Sequence, residues 1–198
     1  MKLSQYHWHK VPALIGLCGS IGAGKSTVAK ALVWQLGYWR VPFAAPLKSM
    51  MYAIGLEDEH LNGDQKEQPL DLLCGKTPRQ AMQWLGTEWG RNLIGEDFWV
   101  KAWERELTSP RIVTDDARFE NEFEAIRRNG GVLIRVVRPG LTTSVFAGHS
   151  SETAWQNVTP DATLINDGTI EELETKALAL VKDLANGAHL PQPMKVDA

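Results

Sequence analysis

Residues 19–26, Gly19-Ser20-Ile21-Gly22-Ala23-Gly24-Lys25-Ser26, fit G-x-x-x-x-G-K-[ST] at every fixed position, with Thr27 following. The flanks restrict the fold further. Leu14, Ile15, Leu17 and Cys18 form a short apolar run that predicts a buried parallel strand, and Ser26 to Leu36 carry the spacing of an amphipathic helix. Strand, glycine loop and helix together make a cradle for phosphate. Gly22 and Gly24 accept positive φ, so the N–H groups from Ser20 through Ala23 to Thr27, in the loop that begins at Gly19, can converge at the positive end of the helix. Lys25 is expected on the β- and γ-phosphates of a nucleoside triphosphate, Ser26 on the accompanying magnesium ion and Thr27 on the α-phosphate. A glycine-rich turn that binds nothing is the bland alternative, and it leaves the Lys-Ser pair unexplained.

A chain of 198 residues is long enough for one well-buried α/β domain with an insertion and short for two independent ones, so residues 1–198 are read as a single domain. A net charge of -3 argues against binding a nucleic-acid polymer or a polybasic membrane surface. A small ligand is expected instead. No apolar run approaches the length of a membrane span, Met1 to Lys10 lack the regions of a signal peptide, and the two cysteines, Cys18 and Cys74, have no metal-binding spacing. These features predict a cytoplasmic protein.

Strand-like and helix-like segments alternate. Strands are predicted over 13–18, 38–43, 111–115, 132–137 and 162–166, and helices over 25–36, 46–54, 78–93, 97–107, 118–129 and 170–185. This order predicts an open, doubly wound, mostly parallel five-stranded sheet with helices on both faces. Residues 46–109 hold no convincing strand and are expected as a helical insertion near the carboxyl ends of the strands, where such sheets place ligands. Residues 139–156, with Gly140, Gly148, two serines and His149, read as a lid, and 187–198 as a flexible tail.

Within the insertion, Thr77, Pro78 and Gln80 form a helix start with a capping box. Met82, Leu85, Trp89 and Leu93 then recur as an apolar stripe. Arg79, Gln83, Thr87 and Arg91 fall four apart on another face and suit a phosphate and a base, although a solvated face has the same pattern. Gly86 and Gly90 inside this helix imply a close approach by backbone or ligand. Trp99 and Trp103, beside Val100 and Leu107, read as core, with an aromatic base platform as the alternative; Asp97 is placed to cap their helix. Past the insertion, the apolar strand Arg111-Ile112-Val113-Thr114 ends in Asp115-Asp116, which puts a carboxylate at the sheet edge for a magnesium-bound water, and Arg118 stands close by.

Taken in order, these motifs resemble the deoxynucleoside monophosphate kinases of tailed bacteriophages, within the P-loop kinase superfamily. The likeness runs over about residues 12 to 185. It rests on the loop at 19–27, Phe43-Ala44-Ala45-Pro46-Leu47-Lys48, Thr77-Pro78-Arg79-Gln80, Gly86-Thr87-Glu88-Trp89-Gly90-Arg91, Asp116-Ala117-Arg118-Phe119-Glu120-Asn121-Glu122, Arg138-Pro139, His149-Ser150-Ser151-Glu152 and Asn166-Asp167-Gly168-Thr169. The resemblance implies transfer of the γ-phosphoryl group from ATP, with Mg2+, to a deoxynucleoside 5′-monophosphate, giving the diphosphate and ADP. It implies that Lys25 and Ser26 serve ATP and magnesium and that Asn166 and Gly168 lie on the adenine side. Lys48, Arg79, Gln83 and the Thr87, Glu88, Trp89, Arg91 segment would serve the acceptor. Arg118 and Arg138, with His149 and Glu152, would line the closing side. Host cytoplasm is the implied location for a phage-encoded member, and a homodimer is compatible with it. One departure is the pair Asp115-Asp116, where the family more often shows a single acid, so both are candidate metal-side residues.

Two other readings share the first strand and loop. A nucleotide-hydrolysing switch or small ATPase is disfavoured by the lack of Asn-Lys-x-Asp and of a strand ending in Asp-Glu. A metabolite kinase such as dephospho-coenzyme A kinase is disfavoured by the aromatic, arginine-bearing insertion.

Overall fold

The computed structural model describes residues 11–141 and 154–186. The expected tail at 187–198 and most of the expected lid lie outside them. The chain divides into two compact units, one made of Met1–Pro42 with Ser109–Ala198 and the other of Phe43–Thr108.

The first unit is built on a five-stranded sheet. Strands β1 (Leu14–Cys18), β2 (Trp39–Arg40), β3 (Ile112–Thr114), β4 (Val132–Val137) and β5 (Ala162–Ile165) lie in the order β2-β3-β1-β4-β5, and every pairing is parallel. β1 is central and buried along its whole length, which explains why its sequence is an unbroken apolar run. Its side chains alternate between two covered faces. Ile15 and Leu17 pack with Val28 and Leu32 of helix α1 (Lys25–Leu36) and, through the same core, with Leu173 and Val181 of the C-terminal helix Ile170–Ala185. Gly16 points the other way, and a Cβ there would collide with Ile126 of the helix Glu120–Arg128. The sheet is therefore covered on both faces, as the alternation of elements predicted.

Strand β2 is shorter than the predicted 38–43. Trp39 and Val41 donate to the carbonyls of Arg111 (2.8 Å) and Val113 (2.9 Å), and Pro42, whose nitrogen faces the open edge of the sheet, is tolerated there. From this point the chain leaves the sheet, and it returns to the neighbouring strand β3 at residue 112.

The second unit is helical. It comprises α2 (Ala45–Ala53), α3 (Asp58–Leu61), two 3₁₀ turns (Asp64–Glu67 and Asp71–Leu73), α4 (Pro78–Gln83), a wide helix (Trp84–Ile94) and α5 (Phe98–Glu104). Leu47, Met51, Leu56, Leu61 and Trp99 form its core, with Met82, Leu85, Trp89 and Phe98 packed around them. Trp103 is fully buried and stacks on Phe43 at 4.2 Å between ring centroids. Trp99 and Trp103 are thus core residues and not a base platform.

The predicted helix over 78–93 changes character midway. Its start is as expected: Thr77 Oγ1 accepts from the Gln80 N–H (3.2 Å), and Gln80 Oε1 accepts from the Thr77 N–H (3.0 Å). After Gln83 the helix widens to π geometry, ending with the Gly95 N–H on the Gly90 carbonyl at 3.0 Å, an i→i+5 bond. Trp99 is the cause visible in the packing. Its indole Nε1 donates to the Gly86 carbonyl (2.8 Å), and its ring lies where a Cβ on Gly90 would be, so a side chain enters the helical ladder. Gly86 and Gly90 are explained by this approach. Leu93, expected on the apolar stripe, is 76% exposed. Asp97 occupies the N-cap position of α5, but its side chain makes no capping hydrogen bond there, contrary to expectation.

The remaining helices are α6 (Glu120–Arg128), α7 (Ala154–Asn157) and α8 (Ile170–Ala185). Among the described residues, no helix is long and apolar enough to cross a membrane.

Candidate active site

The loop between β1 and α1 follows from its glycines. Gly19 (φ 131°) passes so close to β4 that a Cβ would strike the Val136 carbonyl oxygen, and Gly24 (φ 108°) is the left-handed N-cap of α1, where a Cβ would meet Asn166 and Leu173 at 2.8 Å. The chain therefore turns tightly out of the sheet and straight into the helix, leaving the first amide groups of α1 at the loop. Lys25 folds across that loop, with Nζ donating to the carbonyls of Gly19 (2.7 Å) and Ser20 (2.8 Å).

A cavity of ≈ 370 Å³ opens beside the loop. Gly22, Gly24, Lys25, Ser26 and Thr27 form one wall, and Arg138, Asn166 and Gly168 supply others. Arg138 comes from the end of β4 and Asn166 from the end of β5, so three neighbouring parallel strands deliver these groups to one sheet edge. Asn166 Nδ2 donates to the Ala23 carbonyl (2.8 Å) and ties the β5 exit to the phosphate loop. Thr169 and Glu172 then start α8 with a reciprocal capping box. Ile170 and Leu173 add apolar surface to the same cavity. Backbone amides and a lysine at one end, with an arginine, an amide and apolar surface nearby, suit a nucleotide with its phosphates at the loop.

The acidic pair is divided by its partners. Asp115 is buried, and its two carboxylate oxygens accept from Arg40 Nε (2.8 Å) and a terminal guanidinium nitrogen of Arg40 (3.0 Å). The carboxylate raises the Arg40 guanidinium above its ordinary pKa, against the opposing effect of burial. Asp116 is half-buried, and its Oδ1 accepts from the Thr114 hydroxyl at 3.2 Å. It follows β3, which is hydrogen-bonded to β1. Arg118 is exposed just before α6, where Glu122 Oε2 accepts from the N–H groups of Arg118 (2.7 Å) and Phe119 (3.1 Å). Glu122 is therefore a buried helix-start carboxylate. Among the described residues, no group of three or more His, Cys, Asp or Glu side chains could hold a metal by itself. A divalent ion here would need nucleotide phosphates among its ligands.

The candidate acceptor residues lie in the helical unit. Lys48 Nζ donates to Asn62 Oδ1 (2.5 Å), and Asn62 Nδ2 donates to Asp58 Oδ1 (2.6 Å). Arg79 Nε is hydrogen-bonded to Glu67. Gln83 is exposed, and Thr87 is half-buried. Glu88 accepts from Asn92 Nδ2 (3.0 Å), Trp89 stands edge-on to Phe98 at 5.3 Å, and Arg91 donates to the Glu96 carbonyl (3.3 Å). The expected Arg79-to-Arg91 stripe is thus split between two ends of a helix that changes pitch. His149 and Glu152 lie outside the described residues.

Arg40, Asn62, Lys66 and Glu67 were not singled out from the sequence. A charged residue inside a predicted strand was the available signal for Arg40. The other three sit in a polar stretch with no periodicity to mark them.

Comparison with known proteins adds the following. A family model described as deoxynucleotide monophosphate kinase matches residues 75–177. A protein of Acanthamoeba polyphaga mimivirus, provisionally named a deoxynucleotide monophosphate kinase, is 35% identical over 188 residues, covering 85% of this chain and 95% of the viral one. The deoxynucleotide monophosphate kinase of Enterobacteria phage T4 is 30% identical over 112 residues, covering 54% of this chain and 46% of its own. The deoxynucleoside-5'-monophosphate kinase of Escherichia phage T5 is 31% identical over 105 residues, covering 49% and 42%.

Proposed function

The chain belongs to the deoxynucleotide monophosphate kinase family, and on that premise we propose that it transfers the γ-phosphoryl group of ATP to a deoxynucleoside 5′-monophosphate, giving the diphosphate and ADP. The observation that carries this reading is where the family match falls. Residues 75–177 begin beyond the phosphate loop and take in Thr77–Arg91 and Asp116–Glu122, so the assignment does not rest on the motif shared by all proteins with such loops.

The first unit binds the donor. Amides of Gly22 to Thr27 and the ammonium of Lys25 hold the phosphates, and Arg138, Asn166 and Gly168 enclose the rest of the nucleotide. The positive φ values at the loop, the absence of room for side chains at Gly19 and Gly24, and the cavity beside them support this. Lys25 exchanges its two carbonyl acceptors for phosphate oxygens when the donor arrives. Ser26 and Asp116 are the residues suited to Mg2+, and Asp115 is not, because Arg40 takes both of its oxygens. Held by Ser26 and Asp116, Mg2+ would supply positive charge to the nucleotide phosphates. In the helical unit, Lys48, Arg79, Gln83 and Thr87 to Arg91 hold the acceptor.

Such a reaction needs positioning and charge stabilisation more than covalent help. The acceptor phosphate is an anionic nucleophile at neutral pH, so no side chain has to remove a proton from it. Lys25, Arg118 and Arg138 would stabilise the charge spread over the transferring group.

The test is ADP formation from ATP and Mg2+ with each of the four deoxynucleoside monophosphates and with none. Turnover that depends on a monophosphate is expected, together with the matching diphosphate as product. Equal ADP release without any acceptor would identify a nucleotide hydrolase instead.

A further inference from the structure

Lys66 and Glu67 close a short 3₁₀ turn, Asp64–Glu67, that packs against α3 and α4. Glu67 accepts from Arg79 Nε at the first turn of α4. Lys66 precedes Glu67 in that turn. Lys66 is half-buried, and burial first and Arg79 second hold its ammonium below the usual lysine range, opposed by Asp58 and Glu67. Asp58 itself is held by Asn62 (2.6 Å) and by the Tyr52 hydroxyl (2.8 Å), which keep its carboxyl below the ordinary range. Its charge is thus already engaged by two donors.

One carboxylate thus holds the Arg79 guanidinium, and the residue before it in the same turn, which packs on α4, carries an ammonium. As a stability device the Arg79–Glu67 pair is weak, since both side chains are half-exposed or more and such surface pairs contribute little. As a ligand arrangement it has a clear logic. A phosphate monoester carries about two negative charges at neutral pH and three acceptor oxygens, so it outcompetes a single carboxylate for a guanidinium and an ammonium together.

We propose that Glu67 is a built-in stand-in for the acceptor's 5′-phosphate, occupying Arg79 until the monophosphate displaces it, and that Lys66 is a further acceptor-binding residue that joins Arg79 on that phosphate. The proposal rests on the reading that Arg79 binds the acceptor. Glu67 competes with substrate; Lys66 attracts it. The carboxylate also shields two like charges from each other while the site is empty.

Three variants test this: Glu67→Gln, Lys66→Met and Arg79→Ala, assayed for KM and kcat with a deoxynucleoside monophosphate that supports turnover, and with 2-deoxyribose 5-phosphate as a base-free competitive inhibitor. Glu67→Gln should lower the monophosphate KM about three- to tenfold and tighten the inhibitor alike, with the ATP KM and kcat within about twofold. Glu67→Ala should act in the same direction, which guards against an effect peculiar to glutamine. Lys66→Met should raise the monophosphate KM about tenfold, again without moving the ATP KM. If Arg79→Ala raises the monophosphate KM but Glu67→Gln and Glu67→Ala do not lower it, the stand-in role is overturned while the acceptor reading survives. An unchanged KM in Lys66→Met overturns the role of Lys66. Should Arg79→Ala itself leave the KM unchanged, the acceptor assignment fails at its root.

Discussion

Arg40 grips both carboxylate oxygens of Asp115, at 2.8 and 3.0 Å, across the β2–β3 pair. Two adjacent acids with the same side chain are thereby given different work. Asp115 fastens the exit of β3 to the edge strand, and Asp116, one residue on, is the acid we propose for the metal side.

Asp115→Asn is expected to cost about 1.5–3 kcal/mol of stability, the range for hydrogen bonds to charged groups, with the Mg2+ dependence of the remaining activity unchanged. Asp116→Asn should leave the melting temperature near that of the parent and raise the Mg2+ concentration needed for half-maximal rate. Thermal unfolding and a magnesium titration of both variants check the division, and the opposite pattern would reverse the assignment.

Lys25→Ala should lower kcat by at least about 10²–10³, as expected for a charge contact that tightens in the transition state. Its folding should be intact, because the hydrogen bonds that the ammonium donates to the Gly19 and Ser20 carbonyls stay within the loop. Initial rates at saturating ATP and acceptor, with circular dichroism of the same preparation, make the check.

Gly90→Ala should destabilise the helical unit by about 1–3 kcal/mol, since the new methyl would overlap the Trp99 indole. Trp99→Phe removes the hydrogen bond to the Gly86 carbonyl and should cost about 1 kcal/mol or more. Urea unfolding followed by circular dichroism distinguishes the two. An unchanged midpoint in both would mean that Trp99 does not hold the wide helix open.

Alkaline pH should weaken the fold. Burial raises the Cys18 thiol from 9.0 to about 11 and pushes the Tyr38 hydroxyl up as well. The unfolded chain releases these protons before the folded one does. Their contribution is complete below about pH 9 and is lost as pH rises through the folded values, by up to about 1.4 kcal/mol per pH unit for each group. Denaturant midpoints measured from pH 8 to 10.5 should fall, and less steeply in Cys18→Val. The same burial predicts that a thiol reagent labels the exposed Cys74 in the native chain and reaches Cys18 only after unfolding.

What could be read from the sequence was local or periodic. Leu14–Leu36 came out as strand, glycine loop and helix because one run of residues encodes all three, whereas Asn166 and Arg138 were expected through the family resemblance alone. The Arg40–Asp115 pair spans 75 residues and exists only because β2 lies beside β3, an order that no local pattern states. The pitch change after Gln83 depends on Trp99, 13 residues beyond the carbonyl it binds at Gly86. Gly86 and Gly90 gave notice of some close approach there, but not of the indole that makes it.

The chain leaves the sheet after β2 and comes back into β3, its hydrogen-bonded neighbour, so the whole stretch Phe43–Thr108 hangs from two adjacent strand ends. Such an attachment lets evolution treat the helical unit as a cassette. Its length and helices can drift or be exchanged between lineages while the strand register and the phosphate loop stay as they are. An engineer has the same freedom, with the natural splice points at Pro42 and Ser109.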